Sequence, residues 1–246
     1  MIVIDKVTKF YGKKRSLHNV CLTINKGEIM GLIGPNGAGK STLLALLATL
    51  SSPKSGKISI NGYELPKHKK QVRELIGYVP QDVALWEHLT VKENMAFWSG
   101  LASRKVSTEQ LMELCEKVQL QAQWNEKVAT LSGGMKRKLN IAVALISDPE
   151  ILLMDEPTVG IDLQSKFEIN QFIKELAGQG KTIVYATHDL NEILYLCTRI
   201  TVLNHGVLEF AGTIAEARDQ AKLSGASELS DEKIIYQLLS GKLIEK

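Results

Sequence analysis

Apolar and polar positions change their rhythm several times along the chain. Ile2, Ile4, Val7 and Phe10 mark a strand over residues 2–11, and Val20 to Ile24 alternates as a second. After a turn at Asn25-Lys26-Gly27, the run Ile29-Met30-Gly31-Leu32-Ile33 reads as a buried strand that ends in a glycine-rich loop. Leu43 to Leu50 reads as a helix stopped by Pro53 and Gly56. Lys57 to Asn61 reads as a short strand turning at Asn61-Gly62.

From Leu89 to about Gln123 the pattern becomes helical. Thr90 with Glu93 has the spacing of a capping box, and Leu111, Leu114, Cys115 and Val118 recur at helical spacing within 107–119. This stretch reads as a helical subdomain inserted into an α/β chain. Beyond it, Ile151 to Met154 predicts a buried strand, Gln164 to Leu176 a helix, Thr182 to Ala186 a strand, Leu190 to Cys197 a helix and Ile200 to Leu203 a strand. Alternating strand and helix predict a mainly parallel sheet with right-handed crossovers.

The glycine-rich loop carries the first chemistry. Gly34-Pro35-Asn36-Gly37-Ala38-Gly39-Lys40-Ser41 fits the phosphate-loop pattern, with Thr42 after it, a strand before it and a helix behind it. Glycines let backbone N–H groups converge on phosphate oxygens, and the helix beginning near Lys40 adds its positive end. Lys40 supplies a point charge to the β and γ phosphates of ATP, and the Ser41 hydroxyl is a candidate Mg2+ ligand. Asp155 and Glu156 follow the apolar run Ile151 to Met154. Parallel sheets bind ligands at the carboxyl ends of their strands. That places Asp155 as a metal group and Glu156 within reach of an attacking water. His188, just past the strand Thr182 to Ala186, is a third candidate at the same edge.

Composition narrows the class. The chain has 246 residues, a formal net charge of +3 and 44% hydrophobic residues. That suits a soluble globular α/β protein, with the polar stretch Asp219 to Asp231 as the candidate for disorder. A charge this small does not argue for nucleic acid. Met1 to Lys6 is too quickly charged for a secretion signal, and no run approaches the ~20 apolar residues of a membrane span. Cys21, Cys115 and Cys197 show no metal or disulfide spacing and read as small buried apolar residues in a reducing compartment.

With Leu131-Ser132-Gly133-Gly134-Met135 ahead of a helix over Met135 to Ile146, the ordered set of motifs resembles the ATP-binding subunits of ABC transporters over residues 2–215. The resemblance implies a P-loop NTPase fold: a mainly parallel core, an N-terminal antiparallel β subdomain and an inserted α-helical subdomain. It implies an ATP-binding domain over 1–215, with core segments 1–81 and 150–215, a helical subdomain at 82–149, and a C-terminal helical extension at 216–246. By the same resemblance Tyr11 stacks on adenine, residues 34–42 are the Walker A loop, and Gln81 reaches Mg2+ and the attacking water. Asp155 and Glu156 match Walker B and its catalytic glutamate, and His188 the switch histidine. Ser132, Gly133, Gly134 and Asp162 would act on ATP held by a second ATP-binding subunit, in a head-to-tail dimer.

The family's other partner is a transmembrane permease subunit, which implies a cytoplasmic protein, peripheral on the inner face of the cell membrane. Met135 in the signature and Gly160-Ile161-Asp162 resemble the exporter branch that moves drugs, lipids or polysaccharides. The segment Asp82 to Gly100, with Val83, Leu85, Trp86, Phe97 and Trp98, matches the region that receives a short helix of the membrane subunit. Trp86 is the expected exposed anchor there, and Phe97 is expected in the subdomain's own core. A soluble ABC protein of translation or DNA repair is disfavoured by the single ATP-binding unit and the absence of a heptad run. A binder without turnover is disfavoured by Glu156 and His188.

Overall fold

The computed structural model describes residues 1–223 and 229–240. β1 (Ile2–Tyr11) and β2 (Lys14–Ile24) form a hairpin, and β3 (Ile29–Ile33) crosses into a second sheet and feeds α1 (Lys40–Leu47). β4 (Ser55–Ile60) and β5 (Tyr63–Leu65) return to the first sheet, and α2 (Lys69–Leu75) leads to β6 (Ile76–Val79). α3 (Val91–Gly100), α4 (Thr108–Lys117) and α5 (Gly133–Ala144) follow. The chain then runs through β7 (Ile151–Asp155), α6 (Leu163–Gly178), β8 (Thr182–Ala186), α7 (Leu190–Leu196), β9 (Arg199–Asn204) and β10 (Val207–Gly212). α8 (Ile214–Leu223) and α9 (Asp231–Leu239) come last.

The first sheet is antiparallel, in the order β2-β1-β4-β5, and the second has the order β10-β9-β3-β8-β7-β6. In the second sheet β3 pairs parallel with β8 and β9, and β7 with β6 and β8, while β10 is an antiparallel edge. Its central strands bury both faces. On β7, Ile151 and Leu153 join the core around α1, while Leu152 and Met154 join the core under α5, α6 and α7. Two-sided burial is why these strands read as unbroken apolar runs. α1 lies between the sheets, with Leu43, Leu44, Leu46 and Leu47 buried against residues of both.

Several sequence expectations need correction. Phe10 breaks the apolar alternation of β1 and is exposed, because register shifts after Ile4 and around Lys9 re-aim the strand. Lys6 takes a left-handed φ of 50° at the first shift. β2 starts at Lys14 rather than Val20. α1 ends at Leu47, before Pro53 is reached, and Thr49 is left-handed at φ 61°. Asn61 and Gly62, at φ 48° and 85°, make the expected turn between β4 and β5. α2, β6 and β10 were not expected: α2 buries only Val72, β6 has four residues, and β10 carries a register shift between Leu208 and Phe210. Of the stretch expected to be disordered, Asp219 to Leu223 closes α8 and residues 224–228 lie outside the described residues.

The helices between β6 and β7 enclose a small core of their own, including Val91, Met95, Leu111, Cys115 and Trp124. The Thr90–Glu93 capping box forms as expected. α5 belongs to two cores: Leu139 and Ala142 face the small one, Ile141 faces the sheet. Phe97 stays outside, 43% exposed, because Val91 and Met95 take the inward positions of α3. Cys21 is exposed on β2, contrary to expectation, whereas Cys115 and Cys197 are buried. α8 and α9 pack Ala217, Ile234 and Leu238 on the sheet core, tied by Arg218 to Asp231 at 2.7 Å.

Leu153 is fully buried at the centre of the sheet, while Leu163 is 85% exposed. Leu153→Ala is expected to lower unfolding free energy by about 2–5 kcal/mol in urea denaturation, and Leu163→Ala by less than ~0.5 kcal/mol.

Candidate active site

A cleft of about 420 Å³ opens between the end of β3, the start of α1 and the β1–β2 hairpin. Tyr11, Asn36, Gly37, Ala38, Gly39, Lys40, Ser41, Thr42, Gln81 and Glu156, all among the residues the sequence singles out, line it, while Gly34, Asp155 and His188 are not in its lining. Lys14 and Ser16 line it too and were missed. Nothing local marks these two. They are strand residues brought in when β2 packs on the loop, where Ser16 Oγ and Thr42 Oγ1 lie 2.7 Å apart.

The loop from Gly34 to Gly39 is held tightly from outside. Gly34 tolerates no side chain, since a Cβ there would sit 2.2 Å from the Leu203 carbonyl oxygen. Gly39 has φ 109°, and its Cβ would meet Ser16 O at 2.8 Å. The Ala38 amide donates to Pro35 O at 3.1 Å, while Ala38 O accepts from the Gly206 amide at 2.9 Å. The β9–β10 turn thereby clamps the loop, leaving its inner N–H groups to a ligand.

Lys40 is 6% exposed, and its ammonium donates to Gly34 O at 2.6 Å and Pro35 O at 3.3 Å. Burial holds its pKa below the usual lysine range, and the charges of Glu156 and Asp155 partly restore it. An anion in the cleft would supply the compensation that burial removes. Pro35 contributes its carbonyl to this contact rather than lining the cleft.

Asp155 closes β7, is 3% exposed and hydrogen-bonds with the Ser41 side chain. Burial raises its pKa, the Ser41 bond lowers it, and Glu156 raises it further. Its Oδ1 is buried and has no hydrogen-bond partner. A buried carboxylate oxygen left open beside a hydroxyl, with lysine nearby, fits a divalent cation bound together with a phosphate.

Glu156 adopts a left-handed φ of 47°, an arrangement costing about 1–3 kcal/mol in a residue with a side chain. Its amide donates to Ala186 O at 2.9 Å, which fastens the turn to the end of β8. His188 is brought to it from that strand end, with Nδ1 3.2 Å from Glu156 Oε1. A carboxylate accepts, so Nδ1 carries the proton in this contact and Nε2 is left for a ligand. Gln81 is held by its carbonyl, which accepts from Arg137 on α5; Arg137 also donates to Val159 O at 3.4 Å. Arg137 is not among the candidate site residues read from the sequence, although it ends the signature stretch 131–137.

Ser132, Gly133, Gly134 and Asp162 do not line this cleft. Ser132 caps α5, accepting from the Met135 amide at 3.2 Å. Asp162 caps α6, accepting from the Ser165 amide at 2.9 Å and hydroxyl at 2.8 Å, and these bonds hold its carboxyl below the usual range. The two helix starts touch: a Cβ on Gly134 would come within 2.1 Å of Ser165 Oγ. Ser132 and Gly133 are exposed, so this corner presents a helix N-terminus to solvent.

Residues 17–159 match the ABC transporter family. The chain is 38% identical over 243 residues to the linearmycin resistance ATP-binding protein LnrL of Bacillus subtilis, covering 98% of this chain and 76% of that protein. It is 40% identical over 223 residues to the Nod factor export ATP-binding protein I of Rhizobium etli, covering 89% and 69%. Among solved structures, an ATP-binding subunit of an ABC transporter superposes with a TM-score of 0.84 at 28% identity, covering 97% of this chain and 99% of that one. A dimeric, post-hydrolysis state of the ATP-binding cassette MJ0796 with ADP and Pi superposes with a TM-score of 0.79 at 31% identity, covering 87% and 98%.

Lys40 is the one cation of the 34–42 loop. Lys40→Ala is expected to weaken ATP binding at least tenfold by calorimetry and to stop turnover; an unchanged affinity would show that the loop amides alone hold the phosphates.

Proposed function

The chain belongs to the ABC transporter family, and from that membership we propose that it powers an exporter by closing head to tail with a second ATP-binding subunit around ATP. It is an ATP-binding, ATP-hydrolysing subunit, and subunits of this family dimerise and work with transmembrane components. The observation that carries the catalytic reading is the meeting of Glu156, which lines the cleft, with His188, 3.2 Å away.

In this reading the 34–42 loop and Lys40 hold the phosphates, and Tyr11, half exposed at the rim, stacks on adenine. Ser41, Asp155 and Gln81 would hold Mg2+, which would neutralise phosphate charge. Glu156 takes the proton of the attacking water, while His188 orients Glu156 and leaves Nε2 for the γ-phosphate. Ser132, Gly133, Gly134 and Asp162 engage the partner's ATP; their place outside the cleft of their own chain supports this. The ATP-binding domain is taken as 1–215, with 82–149 its helical part and 216–246 a helical extension.

Export is supported by the relative named for Nod factor export and by the Met135 and Gly160-Ile161-Asp162 variants. No helix among the described residues is long and apolar enough to cross a membrane. In this reading the permease is a separate chain, and this subunit sits peripherally on the cytoplasmic face of the cell membrane. A groove of about 290 Å³ lined by Tyr78, Pro80, Trp98, Leu101 and Val143 suits an apolar helix, and its Trp98 ring meets the exposed Phe97 at 5.5 Å. Trp86 is 48% exposed and meets Phe97 edge-on at 5.9 Å.

Glu156→Gln is expected to keep ATP affinity, lower phosphate release at least ~10²-fold and accumulate an ATP-bound dimer by size exclusion. Turnover within a few-fold of wild type would remove Glu156 as the base. Trp86→Glu is expected to leave the thermal transition and ATP binding near wild type while reducing co-purification with a co-expressed permease. Loss of the thermal transition in the isolated chain would place Trp86 in the fold rather than at the docking face.

A further inference from the structure

Beneath the Glu156–His188 pair lies a carboxylate that the reading above leaves without a role. Glu192, in the first turn of α7, is 2% exposed. A carboxylate this deep is tolerated only where donors surround it. Three of its donors come from three different segments. Thr158 Oγ1 donates to Oε1 at 2.5 Å, Thr187 Oγ1 donates to Oε2 at 2.7 Å, and Lys166 Nζ lies 3.2 Å from Oε1. Thr158 and Thr187 are themselves buried.

The origin of each donor matters. Thr158 stands two residues beyond Glu156, and Thr187 immediately precedes His188. Lys166 lies on α6, the helix capped by Asp162, and also binds Asp189 Oδ2 at 2.5 Å. The Asp189 amide in turn donates to Thr187 Oγ1 at 3.1 Å. Tyr185 supports the network from below, its hydroxyl 3.3 Å from Thr158 Oγ1 and donating to Asn170 Oδ1 at 3.3 Å.

We propose that Glu192 is a positioning residue for ATP hydrolysis: one buried carboxylate fastens the turn that carries Glu156 to the strand end that carries His188, and both to the helix behind Asp162. The claim rests on the catalytic reading of Glu156 and His188. Its physical basis is that both residues sit on turns that need an outside fastening. The Glu156 turn is left-handed and has its amide bonded to Ala186 O, but the return of that turn is held at Thr158 by Glu192. The imidazole of His188 is 60% exposed, so its own packing does little to aim it; Thr187, bonded to Glu192, anchors its backbone. A displacement of about 1 Å in a reacting group can cost up to ~10²-fold in rate.

The test uses the purified full chain. Glu192→Gln keeps the volume but replaces one acceptor with a donor. It is expected to lower kcat roughly 10- to 100-fold, with KM for ATP within about twofold of wild type, when assayed well below a thermal midpoint that falls by a few degrees as the buried bonds weaken. Thr187→Val, which exchanges a hydroxyl for a methyl, is expected to reproduce that loss, and Thr187→Ser to restore kcat to within about threefold. The double variant Glu192→Gln/Thr187→Val should be no slower than the slower single, because both cut the same link. Wild-type kcat in Glu192→Gln or in Thr187→Val, or a double variant slowed by the product of the two losses, would overturn the proposal. So would a proportional fall in ATP affinity and thermal midpoint, which would make Glu192 part of general stability only. Should Glu192→Gln not fold, the Thr187→Val and Thr187→Ser pair decides alone. His188→Ala and Glu156→Gln test the underlying reading separately: wild-type turnover in those removes it, while their loss beside an unaffected Glu192→Gln removes only the positioning role.

Discussion

The ammonium of Lys40 is buried at the mouth of the loop it has just left, 2.6 Å from Gly34 O and 3.3 Å from Pro35 O. That contact requires the loop to fold back over its own lysine, and the fold-back requires a backbone at Gly34 with no side chain facing Leu203 O. It also draws Asp155 and Glu156 into place, since two carboxylates beside a cation are tolerable where two carboxylates alone are not. The site is therefore electrostatically loaded before anything binds. A lysine weakened by burial, an aspartate raised by burial and an open Asp155 Oδ1 are each relieved by a phosphate and a divalent cation arriving together.

The sheet supplies the rigidity this arrangement needs. β3, β7 and β8 are adjacent and parallel, so the loop before Lys40, the pair Asp155–Glu156 and the approach to His188 all emerge at one edge. Burying both faces of these strands locks their relative heights, since sliding one strand would shift apolar side chains out of both cores at once. The groups proposed to act on a second nucleotide stand on helix starts outside this edge, where α5 and α6 touch. In the head-to-tail reading proposed above, a single chain would hold the parts of two sites and complete neither.

α5 links these regions mechanically. Its start carries Ser132 and the signature glycines, Arg137 reaches the carbonyls of Gln81 and Val159, and its inner face divides between the helical core and the sheet core. The Glu192 network does the corresponding work on the other side, joining α6 to the turns that carry Glu156 and His188.

Residue order alone determined the phosphate loop, the carboxylates after β7, the capping box at Thr90 and the buried strands, because each depends on neighbours a few positions apart or on a continuous apolar run. It left α2, β6 and β10 unseen: these are short, and their stability comes from pairing or packing with distant segments rather than from their own periodicity. It assigned Phe97 to the core and Cys21 to the interior, because an apolar residue at a suitable spacing does not say which face a tertiary neighbour will cover. Tertiary structure alone decided that Lys14 and Ser16 border the cleft, that His188 meets Glu156 at 3.2 Å, and that Glu192 lies buried beneath both. Those contacts join segments far apart in the chain, and a contact of that kind leaves no mark on the local pattern of either partner.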